Sequence, residues 1–172
     1  MQHLFGDASA SATGDAVGDP FDDGRPLQDR LPVRCFGCGT LNDHGLHIKS
    51  RWRAGELVCV WQPRPEHIGF PGRVYGGTIA SVVDCHAVWA ALSTWATAAG
   101  HDLSLGAPPF GVVTGSLHVR YLKPAAVSRP LELRARIVER GERKMVVACS
   151  VRQGAVECAT AEVVAVRVPG EV

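Results

Sequence analysis

Tyr75-Gly76-Gly77-Thr78-Ile79-Ala80-Ser81-Val82-Val83-Asp84 opens the longest apolar run of the chain, Thr78 to Ala99, and that run carries one formal charge, Asp84. Two glycines at a helix start leave the first backbone N–H groups open to close approach by a ligand oxygen. A carboxylate inside an apolar helix is costly to bury and needs a reason to be there. The pair reads as an oxyanion-binding helix tip followed by a general base or nucleophile. The run is long enough for a membrane span. It also holds Asp84, His86, Ser93 and Thr94 and lacks basic residues at its ends, so a buried central helix is the expectation.

Working outward, a period of two precedes the helix. Leu46, Ile48, Ser50 and Trp52 alternate with His47, Lys49 and Arg51, which predicts a strand. Arg53-Ala54-Gly55-Glu56 reads as a hairpin turn into Leu57–Trp61, and Pro63 and Pro65 end that strand. Gly100 is the expected C-cap of the helix. Four strands follow: 112–122, 131–139, 144–151 and 156–166, joined mainly by short turns and therefore antiparallel. Ile79, Val82, Val83, Val88, Trp89, Leu92 and Trp95 surround most of the helix circumference, so it should be buried on nearly every side. The order predicts an α+β architecture, a curved antiparallel sheet of about six strands wrapped around one long central helix.

The bounds of the chain agree with one such domain. It has 172 residues, 46% hydrophobic and 20% charged, with a net charge of +1. That length supports a real core, and the charge balance points to neither nucleic acid nor a membrane surface as the partner. Residues 1–30, rich in Gly, Ala, Ser and Asp without periodicity, read as a flexible tail, with the domain over 31–172. The N-terminus lacks the basic and apolar regions of a signal peptide, and the six cysteines fall largely in apolar segments. A cytoplasmic location is the expectation.

Several motifs in this order resemble one known group. Cys35-Phe36-Gly37-Cys38-Gly39 with Asn42 and Gly45-Leu46 comes first, then His67-Ile68-Gly69-Phe70-Pro71-Gly72 before Tyr75-Gly76-Gly77. Asp84 lies nine residues after Tyr75, and Tyr121-Leu122-Lys123-Pro124 follows the helix. Together they resemble the hotdog-fold acyl-CoA thioesterase superfamily, in its PaaI-like branch, over residues 33–168. The resemblance implies a hotdog fold, a dimer or dimer of dimers, and an acyl-CoA substrate with no separate cofactor. It places the catalytic acid at Asp84. Two positions depart from the group: its usual His before the Gly-Gly pair is Tyr75, and an Asn found in the preceding loop of some relatives is Gly69.

Thioester hydrolysis requires oxyanion stabilisation and an activated water or a direct nucleophile. The N–H groups of Gly77 and Thr78 are the expected oxyanion donors, and Asp84 is the base or nucleophile. Tyr75, Gly76, Gly69, Arg73 and Lys123 are the expected substrate-binding residues. Gly77 and Asp84 are seven residues apart, about 10 Å along one helix, while a reacting carbonyl must lie about 3 Å from both. Two helices in a two-fold dimer, the tip of one facing Asp84 of the other, meet that requirement.

The alternatives are a non-catalytic acyl-thioester-binding protein, which Tyr75 favours, and a hotdog dehydratase, which needs a histidine beside the acid. His86 projects from a different helix face and reads as a core histidine. Cys35, Cys38, His44 and His47 have the residue types of a zinc site but not its usual spacing, so no metal is expected.

Overall fold

The computed structural model describes Phe21 and residues 23–170. Strand β1 spans Ser50–Arg53, β2 Glu56–Trp61, β3 Phe110–Tyr121, β4 Leu131–Arg140, β5 Lys144–Gln153 and β6 Val156–Pro169. Helix α1 spans Gly76–Ala98. All neighbouring strands run antiparallel in one sheet of order β1-β2-β4-β5-β6-β3, which leaves β1 and β3 as edges. This is the expected architecture, with the helix inserted between β2 and β3.

Strand alternation places the core. Leu131, Leu133 and Ala135 of β4 and Met145, Val147, Cys149 and Val151 of β5 are buried on the face turned to α1. Register shifts between Thr114 and Ser116, between Ile137 and Glu139, and between Val151 and Arg152 mark bulges. Bulges bend strands and raise local twist, which lets one sheet curl around a helix. All four indole N–H groups find acceptors: Trp52 donates to Ser93 Oγ, Trp61 to Leu46 O, Trp89 to Cys38 Sγ and Trp95 to Gly141 O. Large aromatic bodies thereby enter the core without stranding a polar tip.

Three expectations change. First, the ladder of β1 begins at Ser50, not at residue 46, because His47 takes a positive φ of 53°. Leu46 and Ile48 are still buried, so the alternation reported burial rather than pairing. Second, the tail expected over 1–30 lies outside the described residues only through residue 20 and at position 22. Leu27–Asp29 forms a short 3-10 turn, with Leu27 and Gln28 fully buried. Leu27 and Gln28 anchor this segment together with Phe21 and Leu31, and the small polar composition around them hid that role.

The third change concerns the helix itself. Ile79, Val82, Val83, His86, Ala87, Trp89, Ala90 and Trp95 are buried, yet Gly77, Ala80, Ser81, Asp84 and Val88 remain half-exposed. These five positions recur at three- and four-residue intervals and form one stripe. In the single chain α1 is closed on most sides and open on that one.

Candidate active site at the tip and open stripe of the helix

The chain enters α1 through a braced turn. The Tyr75 N–H donates to the His67 carbonyl at 2.8 Å, and the Val74 N–H donates to Ala125 O at 2.9 Å. His67 stacks on Trp61, with ring centroids 5.1 Å apart. Its burial, and the Arg64 guanidinium beside it, hold its pKa below the ordinary value. These contacts tie the loop to β2 and to the connection after β3.

At the tip, the Thr78 N–H donates to the Tyr75 carbonyl at 3.0 Å and the Ile79 N–H to the same oxygen at 3.2 Å. The N–H groups of Gly76 and Gly77 have no acceptor among the described residues. Of the two expected oxyanion donors, Gly77 is thus free and Thr78 is engaged with its own turn. The Tyr121 hydroxyl donates to the Gly76 carbonyl at 2.8 Å. Burial and the neighbouring Tyr75 push the Tyr121 phenol pKa up.

Tyrosine rings approach both glycines closely. A Cβ on Gly77 would come 2.4 Å from the Tyr75 ring, and one on Gly76 would lie 3.3 Å from the Tyr121 ring. Two tyrosines therefore flank the tip. A Cβ on Gly69 would lie 3.1 Å from Tyr75 Cα and 3.4 Å from its Cβ. The two departures from the family pattern, Tyr75 and Gly69, are thus spatial neighbours, with the approach made mainly by the Tyr75 backbone and Cβ.

Asp84 sits on the open stripe, two helical turns below the tip. The Thr114 hydroxyl of β3 donates to Asp84 Oδ1 at 2.5 Å. The other carboxylate oxygen has no partner among the described residues. Thr114 adjoins the bulge in β3, which aims its hydroxyl at the helix. Arg73 and Lys123 are both exposed and have no carboxylate partner among the described residues. The backbone of Arg73 pairs with Ala126, and the Lys123 N–H donates to Cys158 O at 3.1 Å, so both flank the helix entrance. An exposed apolar rim surrounds the same end: Ile68, Phe70, Tyr75, Tyr121 and Leu122.

The structure brings Tyr75, Gly76, Gly77 and Gly69 together at the tip and keeps Asp84 apart from them within one chain. Thr114 and Tyr121 escaped the sequence reading as site residues. The one available signal was Tyr121 within the Tyr-Leu-Lys-Pro motif; Thr114 is one threonine among several. His86 lies away from the site and is fully buried, its nitrogens bonded to Ser50 Oγ at 2.8 Å and Leu57 O at 3.0 Å. A hollow of about 620 Å³ lined by Trp95, Arg140, Met145 and Arg167 lies at the opposite end of α1.

Comparison with known proteins agrees with this fold. No protein of curated function matches the chain. Among solved structures, a thioesterase superfamily protein from Shewanella loihica PV-4 is 35% identical, with a TM-score of 0.56, covering 74% of this chain and 96% of that one. A Streptococcus mutans UA159 protein solved bound to acetyl CoA is 19% identical, with a TM-score of 0.58 and coverage of 73% and 91%. The Escherichia coli PaaI protein from the phenylacetic acid degradation operon is 15% identical, with a TM-score of 0.59 and coverage of 74% and 84%. The last two share the fold. The family model described as "Thioesterase superfamily" matches residues 71–159, which contain the glycine tip, Asp84, Thr114 and Tyr121. With its curved six-stranded sheet closed on one helix, the chain belongs to the thioesterase superfamily of hotdog proteins.

Proposed function

We propose that this protein hydrolyses an acyl-CoA thioester at a site shared by two chains, with Asp84 as base or nucleophile and the Gly77 N–H as oxyanion donor. The carrying observation is that Asp84 stands half-exposed on the open stripe of α1, one oxygen held by Thr114 and the other unpartnered. A charge kept only for stability would be satisfied on every side.

In the water-mediated route, Asp84 accepts a proton from water as the hydroxide oxygen bonds to the thioester carbonyl. The carbonyl oxygen becomes an oxyanion that accepts from Gly77 N–H, supported by the positive end of the helix. Collapse breaks the carbon–sulfur bond and releases the CoA thiolate, which takes the proton. In the nucleophilic route, an Asp84 oxygen bonds to the same carbon, the carbon–sulfur bond breaks with release of the CoA thiolate, and water then cleaves the resulting mixed anhydride to the free acid and Asp84. The Thr114 hydroxyl fixes the carboxylate for either attack.

Composite sites require a second chain, and the open stripe lies beside β3, a twelve-residue edge strand paired on one side only, to β6. An unpaired edge of this length is a template for strand addition. The apolar rim at the helix entrance supports association or acyl binding. Arg73 and Lys123 suit CoA phosphates there. The solved S. mutans neighbour holding acetyl CoA supports the ligand class. Dimerisation through β3 predicts that Ser116→Lys, at an exposed edge position, shifts the protein toward monomer in sedimentation velocity and lowers activity in parallel. Unchanged dimer content would remove β3 from the interface.

The test is free-thiol release from a panel of short, long and aromatic acyl-CoAs, with wild type beside Asp84→Asn. Turnover that the substitution abolishes supports the reading. Acyl-CoA binding without turnover in either protein supports the second reading, a non-catalytic binder. That reading draws on the Tyr75 ring lying against the helix tip at Gly77. His86, two residues after Asp84, is buried and bonded through both nitrogens, which weighs against its use in a dehydratase.

A further inference from the structure

The Cys35-Phe36-Gly37-Cys38-Gly39 segment has no part in the proposed hydrolysis, yet its sulfurs are organised. Cys85, on α1 directly after Asp84, projects toward this segment, and its Sγ lies 3.4 Å from Cys35 Sγ. The three sulfur atoms of Cys35, Cys38 and Cys85 all lie within 4.8 Å of one another. Two thiolates on one tetrahedral zinc ion, each bonded at about 2.3 Å, stand about 3.8 Å apart. The histidines that the sequence offered as companions, His44 and His47, do not join them; His47 Nε2 instead faces the Asp43 carbonyl at 3.5 Å.

The scaffold holds the segment in this shape. A Cβ on Gly37 would fall 2.3 Å from Cys85 Sγ, so only glycine lets the sulfurs converge. A Cβ on Gly39 would fall 2.5 Å from the Cys35 nitrogen and the Val33 oxygen. The Gly39 N–H donates to Cys35 O at 2.8 Å, closing the turn. The Leu46 N–H donates to Phe36 O at 2.7 Å and the Ile48 N–H to Gly37 O at 3.2 Å, tying the turn to the segment that leads into β1. The Trp89 indole donates to Cys38 Sγ at 3.1 Å from the core side. N–H donors aimed at sulfur are the outer support that thiolate ligands use.

We propose that Cys35, Cys38 and Cys85 form a three-thiolate site for a thiophilic cation of the zinc class, clamping the N-terminal turn to the helix that carries Asp84. Three converging sulfurs favour a metal over a disulfide, which would join two and leave the third idle. Cys38 is buried, while Cys35 and Cys85 are half-buried, so an ion can enter and a solvent molecule can complete its fourth position. Each thiol releases its proton to solvent as the ion binds.

The experiment is metal analysis of the full-length protein, purified without chelator, followed by reloading of the stripped protein with zinc or cobalt. The expected result is one zinc per chain and sulfur-to-cobalt charge-transfer bands on cobalt loading. Cys35→Ser, Cys38→Ser and Cys85→Ser should each weaken binding at least about 100-fold, and Trp89→Phe about tenfold. Cys158→Ser, on β6 and outside the cluster, should leave binding unchanged. Gly37→Ala keeps all six cysteines and should still bind at least about tenfold more weakly, which separates geometry from thiol count. Three results overturn the proposal: no metal uptake by the fully reduced protein, full affinity in Cys85→Ser, or a protein isolated two hydrogens lighter with Cys35 joined to Cys85. The readout is metal content, so failure of thioesterase activity leaves this test intact.

Discussion

His86 and Asp84 lie two residues apart on one helix and meet opposite surroundings. The imidazole is fully buried within a closed chain of hydrogen bonds. The Gln28 amide donates to Ser50 Oγ at 3.1 Å, and its carbonyl accepts from the Ser50 N–H at 2.7 Å. Ser50 Oγ in turn bonds His86 Nδ1, and Nε2 meets Leu57 O. This network joins the segment before β1, β1 itself, β2 and α1. Asp84 has one partner among the described residues, Thr114, and sits half-exposed beside β3 at the edge of the sheet. A polar group that serves the fold is bonded on all sides, whereas a polar group that serves a ligand keeps capacity in reserve.

This contrast is sharpest in paired substitutions. Asp84→Asn should lower turnover by about 100- to 10,000-fold, while thermal stability and acyl-CoA affinity stay close to wild type. A large fall in melting temperature would place Asp84 among the structural groups instead. His86→Ala should do the reverse. It takes the imidazole partner from both the Ser50 hydroxyl and the Leu57 carbonyl, at a cost on the order of 3 kcal/mol, and denaturant titration reads it. The activity of the molecules that remain folded should hardly change.

Acid sharpens the same comparison. Burial drives the His86 pKa down to about 4, from 6.5 in the unfolded chain, and its bond to Leu57 O opposes this only in part. As pH falls below 6.5 the unfolded chain takes up a proton that the folded chain refuses until about pH 4. Stability is therefore complete above pH 6.5 and declines through that window, by about 3 kcal/mol for a shift of this size. Melting curves from pH 7 to 4 should show the loss, and His86→Ala should flatten it. Thr114→Val acts at the other pole and more gently. It removes one hydrogen bond to a carboxylate at constant volume, which predicts about a 10- to 100-fold fall in kcat/KM.

The closed side of the helix was largely legible in the sequence. Its pattern predicts strands over 131–139 and 144–151, close to the observed β4 and β5, and the run from Thr78 marks a core helix, because burial writes itself as apolar spacing. The open stripe was not legible. Gly77, Ala80, Ser81 and Val88 are small or apolar and look like the buried residues around them, so exposure left no trace in composition. Asp84 stood out because charge is rare in such a run. Thr114, which holds it, comes from a strand thirty residues away, and only the pairing of β3 with β6 and its bulge bring it into place. Cys85 was hidden similarly, since its partners lie fifty residues upstream and their pairing is a tertiary fact.

Tyr121→Phe makes the smallest change to the tip and the most discriminating one. Its hydroxyl donates to Gly76 O at 2.8 Å, and its ring packs beside the position that a Gly76 Cβ would occupy. Phenylalanine keeps the ring and removes only the bond. One hydrogen bond of this kind contributes about 0.5–1.5 kcal/mol, so kcat/KM should fall about twofold to tenfold with little change in melting temperature. The loss should be smaller than that of Thr114→Val, because Thr114 holds a charge and Tyr121 holds a neutral carbonyl. A fall as deep as that of Asp84→Asn would mean that the phenol touches the reacting atoms. No fall at all would mean that the contacts of Tyr75 and the glycines set the geometry of the tip without it.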